Sequence, residues 1–360
     1  MSGGVDSSVT AHVLKEQGND VVGVFMKCYN IDGCAEVDAE DARRVAEHIG
    51  IPFYVWDFEQ EYKDRVVQYM IEGYRAGITP NPDVMCNREI KFGLFLEKAL
   101  VSGADYVATG HYVRLTEKKD PKSGLVTYGL KEAVDENKDQ SYFLWTLGQR
   151  QLAHCLFPIG DYKKPEVREI ARVAGLPTAE KKDSQGICFL GKFSLDDFLK
   201  QYIPEHAGAL VTTSGEAVGK HSGAEFYTIG QRHIDADFAF PKTGHGGAGA
   251  ARKPFYVASK DAATNTVVVA EGSDDPALYR GAVELVQVNF IEGGGTEKSL
   301  PIAVRARVRY RQPLSEAVMH RLENGNYKLA FTTPQKFVAE GQSAVFYDAA
   351  GEMLGGGIIL

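Results

Sequence analysis

The sequence predicts an α/β protein. A doubly wound parallel sheet with helices on both faces comes first, then a small central domain, then an antiparallel β-barrel. Three observations predict this. Apolar strand runs alternate with helical periodicity through the first half. The texture changes after about Phe193, where Gly and Ser become frequent and strands shorten. From about Asp274, short alternating strands follow one another. The implied domains are 1–193, 194–273 and 274–360.

The elements follow in order. Val21 to Met26 reads as a buried strand. Ala39, Ala42, Val45, Ala46 and Ile49 recur at helical spacing, with Gly50 as the stop. Phe53 to Trp56 is a second strand and Ala104 to Thr109 a third, ending at Gly110-His111. Between them a helix runs from about Glu89 to Leu100. Pro165 to Ala174 is a helix with Pro at its start and Gly175 at its end. Gly244 to Ala251 is a low-complexity loop. The barrel strands are Val283–Val288, Ile302–Tyr310, Tyr327–Phe331, Ser343–Tyr347 and Gly357–Leu360.

Composition narrows the class. A hydrophobic content of 44% with 24% charged residues is that of a soluble globular protein. No apolar run reaches the length of a membrane span, so no membrane association is expected. The five cysteines are odd in number and widely spaced, which points to thiols in a reducing, cytoplasmic compartment. A net charge of −8 weighs against indiscriminate nucleic-acid binding but allows a local basic groove.

The opening Ser2-Gly3-Gly4-Val5-Asp6-Ser7-Ser8 carries the most chemistry. Paired glycines let backbone approach a ligand. The hydroxyls and the N–H groups of the following helix then face that ligand, as an anion requires. The Gly-Lys-[Ser/Thr] ending of a Walker loop is absent.

Two cysteines stand in chemically suggestive settings. Cys86 lies in Asn81-Pro82-Asp83-Val84-Met85-Cys86-Asn87-Arg88, where a helix start near Asn87 and the Arg88 charge would favour a thiolate. Asp83, three residues earlier, is placed to handle a proton. Cys188 lies in a glycine-flanked segment after Lys181 and Lys182. The two thiols are far apart in sequence, so no CxxC metal or redox motif applies. With a phosphate loop, they suggest sulfur transfer. Cys155 reads as core, as do the aromatics Tyr142, Phe143 and Trp145. Arg305, Arg307, Arg309 and Arg311 alternate with Ala306, Val308 and Tyr310. On a strand this makes one basic face suited to phosphates.

The chain resembles the bacterial tRNA-specific 2-thiouridylases of the PP-loop ATP pyrophosphatase superfamily. The matches are Ser2–Ser8, Phe25-Met26-Lys27, Asn81 to Asp83 with Cys86 to Phe92, and Ala108 to Tyr112. They continue through Asn137 to Phe143, the Cys188 segment, Arg309 to Gln312 and Gly341 to Tyr347. The resemblance implies ATP-dependent 2-thiolation of the wobble uridine (position 34) in tRNAs of the Lys, Glu and Gln type. It implies that Ser2, Gly3, Gly4, Val5, Asp6, Ser7 and Ser8 grip ATP, with Met26 and Gly110 lining the adenosine. Mg²⁺ would arrive with ATP, near Asp6. Cys188 would carry a persulfide and Cys86 would be the nucleophile, with a disulfide between them closing the cycle. Asn81, Pro82, Asp83, His111, Lys138, Asp139, Gln140, Arg309, Tyr310 and Gln342 would meet the tRNA or its target base. A cysteine desulfurase or sulfur-carrier protein would supply the sulfur.

Two departures accompany the resemblance. A phosphate loop in an open α/β sheet follows a buried strand. This sequence starts at Met1, so the expectation is a clipped chain or a start assigned to an internal Met. At Gly230 to Asp237, His233 and two aspartates stand where the family has a basic, glycine-rich turn. The expectation is that Lys242, Arg252 and Lys253 take over that grip on tRNA.

Overall fold

The computed structural model describes residues 1–29, 33–183, 193–239, 253–292, 294–297 and 299–360. Helix α1 (Val5–Glu16) starts directly from the glycine loop, with Gly4 as its N-cap. Strand β1 (Gly23–Lys27) follows, then helix α2 (Cys34–Ile49) and strand β2 (Phe53–Asp57). Gly50 ends α2 in the left-handed conformation that its missing Cβ permits (φ 67°). Two further strands are β3 (Val107–Ala108) and, after the hairpin β4 (Arg114–Lys119) and β5 (Val126–Lys131), β6 (Cys155–Leu156).

The parallel pairing expected of a doubly wound sheet is present in two pairs. β1 pairs with β2 from Gly23↔Phe53 to Lys27↔Asp57, and β3 pairs with β6. Met1 lies along β1, where its amino group donates to the Val24 carbonyl. Cys155 sits in β6 and is 1% exposed, as core. The hairpin β4–β5 escaped the sequence reading because the outer half of β4, Glu117 to Lys119, is exposed and charged and carries no apolar alternation.

The central domain is a five-stranded sheet. Its strands are β7 (Gly208–Thr212), β8 (Ala217–His221), β9 (Asp237–Phe238), β10 (Phe255–Asp261) and β11 (Thr266–Glu271), in the order β10-β11-β7-β8-β9. The C-terminal strands are β12 (Tyr279–Phe290), β13 (Ile302–Arg307), β14 (Ser315–Arg321), β15 (Tyr327–Lys336), β16 (Ser343–Tyr347) and β17 (Met353–Ile359). They close into a barrel in the order β12-β15-β14-β13-β16-β17. Val304, Ala306, Met319, Leu329, Ala344 and Phe346 alternate inward and fill it.

Apolar packing joins these parts. Tyr142, Leu144 and Trp145 of the first domain are buried against Val345, Tyr347 and Met353 of the barrel. The Trp145 indole N–H donates to Ser343 Oγ at 3.0 Å, and the Tyr142 hydroxyl to the Ser343 carbonyl at 2.8 Å. Each buried aromatic thus satisfies its polar end. Tyr142 and Trp145 are core, as expected. Met70, Ile71 and Tyr74 share another core with Val257, Val267 and Val269 of the central sheet. No helix among the described residues is long and apolar enough to cross a membrane.

Candidate active site

The glycine loop is shaped by its own hydroxyls. Ser7 Oγ accepts from the Ser2 amide at 3.0 Å and donates to the Gly4 carbonyl at 3.1 Å. Ser8 Oγ donates to the same carbonyl at 2.9 Å and accepts from Thr178 Oγ1 at 2.9 Å. Gly3 is left-handed (φ 70°), and a Cβ there would overlap the Asp38 carbonyl oxygen. A Cβ on Gly110 would come within 2.8 Å of the Asp6 carbonyl carbon and the Ser7 nitrogen. No side chain caps α1, so its first N–H groups stay available to an anion. With Gly3 and Gly110 packed so closely that a Cβ on either would press on backbone, and the helix start uncapped, the loop fits a phosphate chain.

Asp6 is engaged on both carboxylate oxygens. Lys164 Nζ lies 2.7 and 2.9 Å from them, and the Tyr112 hydroxyl donates at 2.8 Å. Burial, reinforced by the Asp6 charge, pushes the Tyr112 hydroxyl well up, so it stays a donor. No group of three His, Cys, Asp or Glu side chains able to hold a metal occurs among the described residues. Mg²⁺ typically uses one or two carboxylates plus substrate phosphates, and Asp6 suits that role. Lys164 was missed by sequence reasoning. The usable signal was a lysine just before Pro165 at a helix start, a place that favours anions over cations.

Asn81 caps the next functional helix: its Oδ1 accepts from the Val84 amide at 3.2 Å, and Pro82 takes the first helical position. The helix runs through Pro82–Met85, Cys86–Phe95 and Leu96–Val101, the middle stretch widened to π geometry. The expected start near Asn87 is thereby corrected. Asn81 supplies the cap that starts the helix earlier, so half-buried Cys86 stands a full turn inside it. Arg88 is also committed, lying 2.8 Å from Glu89. Asp83, one turn before Cys86, is on the same helix face. Burial pushes its carboxyl up, with the Lys91 charge opposing.

The Gly110-His111 turn connects these two regions. Gly110 backs onto the glycine loop, while the His111 ring packs 5.8 Å from Phe92 of the Cys86 helix. Burial, and then the Lys91 charge, hold His111 well below its ordinary pKa, so it is neutral. Its Nδ1 is 2.8 Å from Thr109 Oγ1. Gln342 reaches the same region from the barrel, donating to the Thr79 and Pro80 carbonyls at 3.0 and 3.2 Å.

Asn81, Pro82, His111 and Asp139, expected to meet the tRNA or its target base, are buried in the structure. Asp139 is 3% exposed and its carboxylate accepts from Ala133 N, Ser141 N and Ser141 Oγ. It also lies 3.2 Å from Arg307 Nη1. Lys138, Gln140, Arg309, Tyr310 and Gln342 are half-buried, and Tyr310 packs 4.5 Å from Phe143. The basic arginine face is corrected as well. β13 ends at Arg307, and Arg311 is left-handed (φ 63°), so period two does not extend to Arg309 and Arg311. Arg307 is buried and pairs with Glu132 and Asp139, while Arg305 lies 3.8 Å from Glu132. The anionic partner of these two arginines is the protein itself. Cys188, Lys242 and Arg252 lie outside the described residues, and Lys253 is exposed.

A glycine phosphate cradle on an α/β domain, joined to a central β domain and a closed barrel, defines a three-domain nucleotide-using enzyme. The family models and the full-length relatives agree. Residues 1–192 match the tRNA methyl transferase HUP domain, 196–271 the tRNA methyl transferase PRC-barrel domain, and 282–359 the aminomethyltransferase beta-barrel domain. The tRNA-specific 2-thiouridylase MnmA of Geobacillus thermodenitrificans is 46% identical over 100% of this chain and 93% of its own length. That of Listeria monocytogenes is also 46% identical, over the same shares. The NMN synthetase of Francisella tularensis shares 15% identity and a TM-score of 0.33, covering 55% of this chain and 68% of its own. The chain belongs to the tRNA-specific 2-thiouridylase family, and is a tRNA sulfurtransferase.

Proposed function

We propose that this protein replaces the C2 oxygen of the wobble uridine (position 34) of tRNA with sulfur, using ATP and a persulfide. The tRNAs are those of the Lys, Glu and Gln type. The observation that carries this is the Gly110-His111 turn. One residue backs onto the phosphate loop and the next packs on the helix of Cys86 and Asp83. Activation and sulfur chemistry thus share one wall.

The C2 oxygen of uridine is a poor leaving group, so it is activated first. That oxygen attacks the α-phosphate of ATP, the α–β phosphoanhydride breaks, and pyrophosphate leaves. Ser2, Gly3, Gly4, Val5, Asp6, Ser7 and Ser8 hold the phosphates, and Met26 and Gly110 line the adenosine. Mg²⁺, when bound with ATP, would supply charge neutralisation on the phosphates, and Asp6 would help hold it. Preorganised N–H groups aimed at developing charge do most of this work.

Cys188 carries the incoming sulfur as a persulfide. In the direct route, its terminal sulfur bonds to C2 and Cys86 thiolate attacks Cys188 Sγ, breaking the persulfide S–S bond. In the alternative order, Cys86 attacks first and the released sulfide bonds to C2. In both, the C2–O bond breaks, AMP leaves with the oxygen, and a Cys86–Cys188 disulfide remains for a thiol reductant. Asp83 handles the proton at the base. The uridine leaves its stack to reach the site, and Lys138, Gln140, Arg309, Tyr310 and Gln342 flank its path. The first domain (1–193) performs the chemistry, and the central domain (194–273) and barrel (274–360) hold the tRNA. A cysteine desulfurase or sulfur carrier delivers the persulfide in the cytoplasm.

The test is incubation with unmodified tRNA, ATP, Mg²⁺ and a persulfide source, followed by mass spectrometry of the digested tRNA. 2-Thiouridine is expected from the native protein and from neither Cys86→Ser nor Cys188→Ser. Binding of tRNA without thiolation or pyrophosphate release would overturn the reading in favour of an RNA-binding protein.

A further inference from the structure

Asp183 has no role in the reaction as read so far, yet three cations converge on it. Lys138 Nζ lies 2.6 Å from its Oδ2, and Lys164 Nζ and Arg168 Nη2 lie 2.8 and 2.9 Å from its Oδ1. Lys164 and Arg168 stand one turn apart on the helix Lys164–Val173, so both reach one carboxylate from one face. Arg168 also donates to the carbonyls of Ala179 and Lys181, which fixes the backbone on which Asp183 sits. Although burial opposes it, bonding from Lys138 and Lys164 brings the Asp183 carboxyl down to about 2, so it is ionised throughout the working pH range.

Lys164 is the member of this group that touches the glycine loop. Its side chain is 10% exposed, and its ammonium spans Asp6 and Asp183. Asp135 belongs to the same group, its carboxylate accepting from the Lys164 main-chain amide at 2.8 Å, so Lys164 is set among three carboxylates beside the α1 N-terminus. A lysine stem gives up rotamer freedom when fixed, so its position depends on what holds its head. If Asp6 were the only anchor, a divalent cation at Asp6 would compete directly with Lys164 for the same oxygens.

We propose that Asp183 is a positioning residue for the activating step: it keeps Lys164 at the phosphate loop while Asp6 turns to the cation that accompanies ATP. The proposal rests on the reading of the glycine loop as the ATP site. Without the Asp183 charge, Lys164 falls back on Asp6, neutralises it, and is no longer fixed where the phosphates react.

The test uses the full chain with tRNA, ATP and Mg²⁺, following pyrophosphate release and, separately, binding of a fluorescent ATP analogue. Asp183→Asn should lower kcat at least tenfold and leave KM for ATP within threefold. It should also raise the Mg²⁺ concentration giving half-maximal rate, a readout that loss of packing alone would not move. Asp183→Glu, which keeps the charge should Asp183→Asn fold poorly, should recover most of the rate. In a Lys164→Met background Asp183→Asn should add no further loss, because the two act as one unit. Equal losses from Asp183→Asn in the native and Lys164→Met backgrounds, or an unchanged Mg²⁺ requirement, would overturn the proposal. Failure of the underlying reading looks different: the native protein would then neither bind the ATP analogue nor release pyrophosphate.

Discussion

The side-chain amide of Gln342, on the C-terminal barrel, donates to the main-chain carbonyl of Thr79 at 3.0 Å. Thr79 returns the connection, its amide donating to the Glu340 carbonyl at 2.8 Å. The barrel thus holds the stretch that leads into Asn81 and the Cys86 helix. Misplacing a reacting group by about 1 Å can cost about 100-fold in rate. Gln342→Ala is expected to lower 2-thiouridine formation by about 10- to 100-fold while ATP affinity stays within twofold. Quantifying thiolated tRNA beside nucleotide binding checks this.

Gly110 tests the contact between the β3 turn and the phosphate loop. An added Cβ would press on main-chain atoms of Asp6 and Ser7, which have no side-chain freedom with which to yield. Overpacking of this kind costs about 1–3 kcal/mol. Gly110→Ala is expected to weaken ATP binding by about tenfold, read by titration with a fluorescent ATP analogue.

Asp83 links pH to both stability and activity. Burial raises its carboxyl above the usual 3.8, so the folded state holds that proton more tightly than the unfolded chain does. The charged form therefore costs stability above the folded pKa, and that cost fades as pH falls towards 3.8. Asp83→Asn is expected to melt higher than the native protein at pH 8, with the gap narrowing as pH is lowered, and to lose thiolation. Thermal melts from pH 8 down to about pH 4, which spans the interval above the ordinary carboxyl value, decide it; a gap that does not depend on pH over that range would contradict the assignment.

Arg307 and Arg305 should behave differently although they are alternate residues of one strand. The Arg307 side chain is 6% exposed and pairs with Glu132 and Asp139. Removing it leaves the buried Asp139 carboxylate without its counter-charge, at about 3–5 kcal/mol. Arg305 is 37% exposed and 3.8 Å from Glu132, a pair worth less than about 1 kcal/mol. Arg307→Met should shift the urea midpoint far more than Arg305→Met.

The sequence by itself determined the parts whose signals are local. The Ser2–Ser8 loop, the α2 stop at Gly50, and the helix with Pro165 near its start are written in turn chemistry and capping residues. The inward alternation of the barrel strands is equally local, because side-chain direction on a strand has period two. Tertiary structure decided what depends on partners distant in the chain. Arg307 looked free for phosphate until Asp139 and Glu132 were brought beneath it. Lys164 stood out only as a cation at a helix start, and its partners Asp6 and Asp183 were set when folding placed one ammonium between carboxylates far apart in sequence. A charge declares its own sign in the sequence, but whether it faces solvent, ligand or a counter-charge is settled only when the chain closes around it.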